Sequence, residues 1–557
     1  MNEPKISPAI TYSLGTLADP VRDRLEEWEH QQYARRLWDK DHTLWSAEEL
    51  PELTNRLGWL GLPSSTTPSR LLEIKEFAAE LRPDTDQVVL LGMGGSSLAP
   101  EVFSSTFGNA PGFPPLIVLD STHPAAIQAL TTRIDPARTL FLVASKSGGT
   151  IETLSLFRFF WKEVSEASAR PGDRFVALTD PGSGLETLAE ERGFRRVFST
   201  PPEVGGRYSA LTSFGLVPAA LIGMNIDGLM AGATDMASQC GPDRPSSANP
   251  GLVLGAALGE AARAGRDKAT FLCSPALAGF GSWVEQLIAE STGKNDTGIV
   301  PVAGEPLGDP DSYQDDRLFV FLGLQGDHPP KWDNYLPALR SNGHPLVEIT
   351  LKDRYQLGAE IFRSEVAVAS ASSILGVNPF NQPDVQVAKD LARQAMSPAG
   401  LGGTIIEIAA PSPGLPQELK AWTDRIKPGD YLAIQAFLPM DGPATPALKA
   451  LVKTLRHRFK AAVTLGFGPR FLHSTGQLHK GGANHGVFLQ IVDHPSPDLD
   501  VPESGFGFGE LIAGQAAGDF QALTGRDRRV LRVRLTDHPT QAIATLTELL
   551  ALQSRSR

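Results

Sequence analysis

The chain has 557 residues, of which 41% are hydrophobic and 20% are charged, and its net charge is −12. This composition is typical of a globular protein and excludes disordered, collagen-like and coiled-coil chains. The negative charge disfavours a general surface for nucleic acid or anionic membranes, so an anionic ligand would need locally built attraction. The length, with 54 glycines and 44 prolines, indicates roughly three to four structural units, or two large α/β ones.

The first residues and the cysteines indicate the compartment. Residues 1–8 lack a basic region followed by an apolar run, and no apolar stretch reaches the roughly 18 residues of a membrane span. Only Cys240 and Cys273 are present, without a Cys or His partner at the spacing of a zinc site. We therefore expect reduced thiols, no metal and a cytoplasmic protein.

The first 55 residues, rich in Trp, Glu and Arg, predict a helical lead-in. Beyond them, short apolar runs alternate with helix-length periodic segments, a pattern typical of a doubly wound parallel sheet. The predicted strands of this first block are residues 87–91, 116–120, 139–144 and 174–178.

A second block follows the Gly-, Pro- and Ser-rich stretch 240–250. Its predicted strands are residues 269–273, 318–323, 346–350, 404–408, 431–437 and 461–465, with a further strand near 530–535 before a closing helix around 541–552. We therefore predict a lead-in at 1–55 and two α/β domains, at 56–245 and 246–557.

The sequence LGMGGSSLAP, residues 91–100, follows the first predicted strand. Glycines at a strand-to-helix turn let the backbone approach an anion, and the helix N-terminus supplies amides. Asp120 ends the next strand, where the ribose-binding acid of a dinucleotide fold would lie. Ser97, however, stands where that fold needs a third glycine or alanine. A dinucleotide site and a purely structural turn are the alternatives here.

The sequence SKSGGTIET, residues 145–153, follows the third predicted strand and opens a helix. The hydroxyls of Ser145, Ser147 and Thr150 can converge with backbone amides on a compact oxyanion. The spacing of a Walker loop is absent. We infer a monophosphate pocket, with hydroxyls that only cap the helix as the alternative.

Four later segments complete a resemblance to the glucose-6-phosphate isomerase family. They are GGRYS at 205–209, QLIAESTGK at 286–294, NPFNQPDVQVAK at 378–389 and FLHSTGQLHKGG at 471–482. The last most closely resembles the isomerase half of fused transaldolase/glucose-6-phosphate isomerase proteins, although no transaldolase-like segment is found. The resemblance runs from about residue 85 to 535. It implies two sugar-isomerase (SIS) domains, each a three-layer α/β/α doubly wound fold.

The resemblance also implies an activity, the reversible isomerisation of glucose 6-phosphate to fructose 6-phosphate in glycolysis and gluconeogenesis, with no cofactor or metal. Glu290 would be the base that moves a proton between carbons 2 and 1 through an enediol. Arg207 would stabilise the enediolate, since a guanidinium keeps its charge. His473 and Lys389 would open the sugar ring.

Substrate binding is expected at both loops and at the added motifs. The residues assigned to it are Gly95, Ser96, Ser145, Lys146, Ser147, Thr150, Gly206, Gln286 and Gln382. The loops would hold the phosphate in a mostly neutral nest on two helix N-termini. Lys146 either adds charge there or points away.

Several points stay open. His479 and His485 lie near His473 in sequence, so the ring-opening histidine is ambiguous. The histidine segment follows the lysine segment here, the reverse of the usual family order, which implies a rearranged second domain. Family analogy implies a homodimer in which a histidine crosses to the neighbouring site, and the altered order weakens that implication. The alternatives to an isomerase are a non-catalytic sugar-phosphate sensor and a nicotinamide dehydrogenase.

Overall fold

The computed structural model describes residues 9–396, 406–536 and 538–552, without the side chains of residues 388 and 389. The chain forms three five-stranded sheets with helices between the strands. The residues before the first sheet, which extend past the predicted lead-in at 1–55, contribute one strand and five α-helices. They are β1 (Ala9–Ser13), α1 (Ala18–His30), α2 (Tyr33–Trp38), α3 (Pro51–Asn55), α4 (Leu62–Ser65) and α5 (Pro68–Leu81).

The first sheet is parallel throughout. Its strands are β2 (Gln87–Gly92), β3 (Leu116–Leu119), β4 (Thr139–Ala144), β5 (Phe175–Thr179) and β6 (Arg196–Ser199). The helices between them are α6 (Leu98–Phe107), α7 (Pro124–Thr131), α8 (Ile151–Ala167) and α9 (Gly184–Glu191). The order β3-β2-β4-β5-β6 places β2 and β4 side by side. Their carboxyl ends, which carry the two predicted anion loops, therefore lie next to each other.

A helical stretch leads into the second sheet. Its elements are α10 (Ser213–Leu221), α11 (Ile226–Gln239), α12 (Pro250–Arg263), β7 (Lys268–Cys273), α13 (Phe280–Thr292), β8 (Val300–Ala303), β9 (Arg317–Leu324), α14 (Lys331–Ser341), β10 (Leu346–Leu351) and α15 (Leu357–Ile374). The order is β1-β10-β9-β7-β8, in which the lead-in strand β1 pairs antiparallel with β10.

The third sheet is also parallel. Its part of the chain contains α16 (Pro383–Ala395), β11 (Ile408–Ala410), α17 (Leu415–Thr423), β12 (Tyr431–Phe437), α18 (Thr445–Phe459), β13 (Ala462–Phe467), α19 (Gly476–Gly481), β14 (Gly486–Val492), α20 (Phe508–Thr524), β15 (Arg529–Leu535) and α21 (Pro539–Leu552). The strand order is β11-β15-β14-β12-β13.

The predicted α/β class, with parallel sheets and a helical lead-in, is confirmed. The strands expected in one second domain, 246–557, instead form two separate sheets. An alternating strand and helix pattern shows that strands are parallel but does not say which of them share a sheet. The predicted strand at 404–408 lies partly outside the described residues, and β11 begins at Ile408. The domain boundaries at 55 and 245 stay predictions.

Two tryptophans that precede the first sheet support loops of the candidate site. Trp59 is fully buried and stacks on Tyr208, with ring centroids 5.0 Å apart. Trp45, in the lead-in, packs against Phe380, with ring centroids 5.3 Å apart. The two tryptophans therefore hold the segments around residues 207 and 380. Across the described ranges, none of the helices combines the length and hydropathy needed to cross a membrane.

Candidate active site

Glu290 and Arg207 form a buried ion pair. Glu290 lies on α13, Arg207 lies in a 3-10 helix, Gly206–Tyr208, and Nε of the arginine is 3.0 Å from Oε2 of the glutamate. Each residue is 4% exposed. The guanidinium also donates to the carbonyl oxygens of Pro379 at 3.0 Å and Asn381 at 3.2 Å. Three segments far apart in sequence thus meet at one arginine.

Burial raises the pKa of the Glu290 carboxyl, while the nearby Arg207, Gln286, His473 and Lys294 partly offset the rise. A carboxylate with a raised pKa is a stronger base. The pair can therefore accept a proton on the glutamate while the arginine keeps a fixed positive charge beside it.

Lys294, one turn beyond Glu290, is buried within the same group. Its Nζ donates to the carbonyl oxygens of Ser291, at 3.1 Å, and Asn378. Burial lowers the pKa of Lys294 well below its ordinary value. Lys294 thus ties the end of α13 to the segment that wraps Arg207.

His473 pairs with a carboxylate that the sequence reasoning missed. It ends a 3-10 helix, Arg470–His473, that follows β13, and its Nε2 lies 2.7 Å from Oε1 of Glu152. Gln515 on α20 donates to the same oxygen at 2.7 Å. A carboxylate that holds one ring nitrogen fixes the orientation of an imidazole. Glu152 lies in the SKSGGTIET segment, as the second residue of α8. A carboxylate at the start of a helix that follows a predicted anion loop is the sequence feature that could have identified it.

The other two histidines have different surroundings. His479 is buried, its Nδ1 is 3.2 Å from Nε2 of Gln435, and burial lowers its pKa well below the ordinary value. Its ring packs against Phe488, with centroids 5.1 Å apart. The side chain of His485 is 52% exposed and lies 3.5 Å from Asp267. Of the three histidines, His473 is therefore the one whose ring is held by the hydroxyl-loop segment.

Arg470 fixes the 3-10 helix of His473 to the first sheet. Its guanidinium donates to Asp120 at 2.8 Å and to Glu101 at 3.1 Å, and Ser97 donates to Asp120 at 3.2 Å. Asp120 is the acid that a dinucleotide fold would offer to a ribose. Because this carboxylate is buried and paired, the dinucleotide interpretation loses its main support.

The first glycine loop lies where the arginine and histidine segments meet. A Cβ atom on Gly95 would lie 2.0 Å from the carbonyl oxygen of Gly206. Gly94 has φ +55°, and a Cβ there would lie 2.6 Å from the carbonyl oxygen of His473. Gln286 donates to that same oxygen at 2.8 Å. These glycines are required by backbone contacts, and Ser96 beside them is 9% exposed.

We expect Gly95→Ala to lower the free energy of unfolding by about 1–3 kcal/mol, because backbone cannot move aside as a flexible side chain can. It should also displace the Arg207 segment and so reduce turnover. Gly206→Ala is the matched control, since a Cβ there would meet no atom within 4 Å. Thermal unfolding of both variants checks this; equal stability of the two would contradict it.

The hydroxyl loop is only partly arranged as expected. The hydroxyl oxygens of Ser145 and Thr150 lie 2.9 Å apart, and Ser147 is exposed. Lys146 forms an ion pair with Asp180 and donates to the Pro202 carbonyl at 3.3 Å, and burial lowers its pKa. The lysine charge is therefore directed to Asp180.

A cavity of about 240 Å³ opens beside this loop. It is lined by residues of the hydroxyl loop and by the dyad of Glu152 and His473. Lys480 and Gln515, which the sequence analysis did not assign to the site, also line it. The lining residues from these groups are Ser147, Gly149, Thr150, Glu152, His473, Lys480 and Gln515. Helix α16 forms a further wall through Val385, Gln386, Ala392 and Arg393.

Lys480 is the buried cation of this cavity. It is 2% exposed, and its Nζ lies 2.5 Å from Oδ1 of Asp519. Asp519 lies one turn from Gln515 on α20, so a single helix face holds both Lys480 and Glu152 in position.

Other predicted residues do not line this cavity. Glu290, Arg207 and Gln286 do not line the cavity, although Gln286 contacts the backbone of His473. Gln382 accepts a hydrogen bond from Arg207 at 3.4 Å. Lys389 lies in α16, and its side chain is outside the described part of the chain. Among the described ranges, no group of three or more His, Cys, Asp or Glu residues is placed to hold a metal ion.

Comparisons with known proteins show the family of the chain. The family model described as phosphoglucose isomerase matches residues 76–300. The glucose-6-phosphate isomerase of Symbiobacterium thermophilum is 31% identical over 382 residues, which cover 60% of this chain and 85% of that protein. The same-named protein of Carboxydothermus hydrogenoformans is 29% identical over 389 residues, 60% of this chain and 83% of that protein.

Two solved structures share the fold. A hypothetical protein from Thermus thermophilus has a TM-score of 0.59 and is 25% identical, and the match covers 70% of this chain and 100% of that one. A glucose-6-phosphate isomerase from Chlamydia trachomatis has a TM-score of 0.53 and 19% identity, over 66% of this chain and 78% of that one. The narrower resemblance to the fused transaldolase proteins stays a prediction. The chain belongs to the phosphoglucose isomerase family.

Proposed function

We propose that this chain is a glucose-6-phosphate isomerase, which interconverts glucose 6-phosphate and fructose 6-phosphate without a metal or cofactor. The observation that carries the proposal is the buried pair of Glu290 and Arg207 beside the dyad of His473 and Glu152. The names of the relatives supply the substrate.

The two pairs divide the chemistry between them. His473, oriented by Glu152, exchanges a proton with the ring oxygen and opens the sugar. Glu290 then removes the proton from carbon 2 and returns it to carbon 1. Arg207 stabilises the negative charge that develops on the enediolate oxygens, as a preorganised donor does.

The phosphate is held by the hydroxyl loop. Ser147 and Thr150 line the cavity at the start of α8, where free amides and the helix dipole favour an anion. Lys389 lies in α16, the helix that forms a wall of the cavity. We assign Lys389 to ring opening on the family resemblance.

The decisive experiment is a coupled assay of the purified chain on the 6-phosphates of glucose, mannose and fructose. We expect turnover of the glucose and fructose compounds. Binding of sugar phosphate without turnover would instead support the non-catalytic sensor. The buried base, arginine and dyad favour the enzyme, since a sensor needs none of them.

His473 belongs to the same chain as Glu290, and the third sheet carries it into the site. We therefore propose that each chain completes its own site, whether or not the protein forms a homodimer. Co-expressed Glu290→Gln and His473→Asn chains should stay as inactive together as each is alone. Activity regained in the mixture would mean that the histidine crosses between chains.

Lys480 is expected to bind an oxyanion of the substrate, because it is the buried cation of the cavity. The double variant Lys480→Met with Asp519→Asn removes the charge without leaving Asp519 unpaired. We expect KM for fructose 6-phosphate to rise about tenfold or more, the loss of one charge-assisted hydrogen bond. Lys480→Arg should retain most of the affinity. An unchanged KM in the double variant would remove Lys480 from the site.

The compartment and the partner are the remaining proposals. Cys240 and Cys273 are both free thiols, which supports the cytoplasm as the proposed compartment. A small sugar phosphate is the proposed partner, with no nucleic acid.

A further inference from the structure

A second cavity, of about 350 Å³, shares no lining residue with the active-site cavity. It lies between α13, the loop after β8 at residues 303–306 and the segment Met440–Lys449 before and within α18. Arg470 and Phe471 line it, whereas Leu472 and His473 of the same 3-10 helix line the active-site cavity. One turn of backbone therefore separates the two.

Glu285 is an acid of the second cavity that forms no ion pair with a described residue. It is half-buried on α13, next to Gln286, and burial raises its pKa to about 7. Within the described residues its carboxyl has no hydrogen bond or ion pair. Ser282, one turn earlier on the same face, also leaves its hydroxyl without a hydrogen bond among those residues. Both oxygens are thus available to a ligand that donates hydrogen bonds.

The other inward charges of this cavity are already satisfied. Glu305 accepts hydrogen bonds from Arg317 at 3.1 Å and from the amide of Val463 at 2.8 Å. Arg470 is held between Glu101 and Asp120. Arg470 also partly offsets the rise in the pKa of Glu285, and Lys449 lines the cavity as an exposed cation. Because two carboxylates surround Arg470, the inner wall near Glu285 favours a cation over an anion.

The rest of the wall is mixed. Its apolar side chains include Leu98, Met440, Val452, Leu465, Phe467 and Phe471, and its polar ones include Thr445, Lys449 and Ser474. A cavity that combines apolar side chains with convergent polar groups, one of them with a shifted pKa, is the general form of a small-molecule site.

We propose that the second cavity binds a small primary amine, whose ammonium group contacts Glu285 and Ser282 and whose aliphatic chain packs against the apolar side chains of the wall. An ammonium group has three donors and no acceptor, which matches the carboxylate oxygens of Glu285 and the lone pairs of the Ser282 hydroxyl. This site is separate from the proposed isomerase chemistry and does not rest on it.

The test is calorimetric titration of the whole chain with n-butylamine at pH 8, without any sugar phosphate. We expect binding to the wild type in the millimolar range, and binding at least about tenfold weaker to Glu285→Gln, the loss of one charged hydrogen bond. Butanol and butyrate, which match the chain but lack the ammonium, should bind without dependence on Glu285. Equal binding of butylamine to wild type and Glu285→Gln, or none to the wild type, would overturn the proposal.

Two further variants locate the amine. Ser282→Met fills the cavity and should abolish binding while the melting temperature of the free protein is kept. Asp441→Asn removes an exposed carboxylate at the mouth of the cavity and should bind butylamine as the wild type does. Unchanged binding to Ser282→Met, or an equal loss in Asp441→Asn, would place the amine outside the cavity.

Discussion

Glu290→Gln is expected to lower turnover by about 10²–10⁴-fold, the usual contribution of a positioned acid–base group. Glutamine has the shape of the carboxyl and keeps an oxygen for Nε of Arg207, 3.0 Å away in the wild type. It cannot take the proton from carbon 2. The variant should therefore fold and bind sugar phosphate while losing both isomerisation and the exchange of that proton with solvent.

The matched control is Glu285→Gln, the same substitution five residues earlier on the same helix. We expect it to keep near-normal turnover, because Glu285 faces the second cavity. Solvent exchange at carbon 2, followed by NMR in deuterated water, separates the chemical step from binding. Exchange in Glu290→Gln at the wild-type rate would assign the base to another residue.

Much of the first sheet could be predicted from sequence. The run 139–144 was predicted with the bounds that β4 has, because a buried parallel strand is a short apolar run between turn residues. The strands β1, β6, β8 and β14 were not predicted. Of these, β6 has only four residues and β8 contains a proline. Neither has enough apolar residues to differ from a loop.

Site residues that lie in a sequence motif could be predicted. Site residues that only the fold brings together could not. Glu290 and Arg207 each lie in a motif, and the structure pairs them. Glu152 and Lys480 are separated by 328 positions in the numbering and line one cavity only because the third sheet packs against the first. A helix glutamate and a lysine beside two glycines carry no local signal of that contact.

The third sheet illustrates the same limit. Strands β12, β13 and β15 were predicted within the second domain, yet they and β14, which was not predicted, pair only with one another and with β11. Hydrophobic periodicity indicates that a strand is buried, but it does not identify the neighbouring strands with which it pairs. The consequence for function is large, because this sheet delivers His473, Lys480 and the helix that holds Glu152.

Arg207→Met is expected to cost about 2–4 kcal/mol of transition-state stabilisation, a loss of about 30- to 1000-fold in turnover. The guanidinium contacts Glu290 and the carbonyl oxygens of Pro379 and Asn381 at the same time. Arg207→Lys keeps the charge but not this planar fork. We expect the lysine variant to lie between wild type and Arg207→Met.

The pH profile distinguishes the electrostatic role of Arg207 from simple disruption. Because Glu290 must be ionised to act, activity falls as the pH drops through its pKa, which burial raises above the ordinary value of about 4.3. Arg207 opposes that rise, so its removal should move the acid limb of kcat/KM to higher pH, while Arg207→Lys should move it less. An acid limb that stays in place in Arg207→Met would mean that the charge on residue 207 does not act on the base. Melting temperatures of both variants provide the control, since loss of one partner of a buried pair also destabilises the fold.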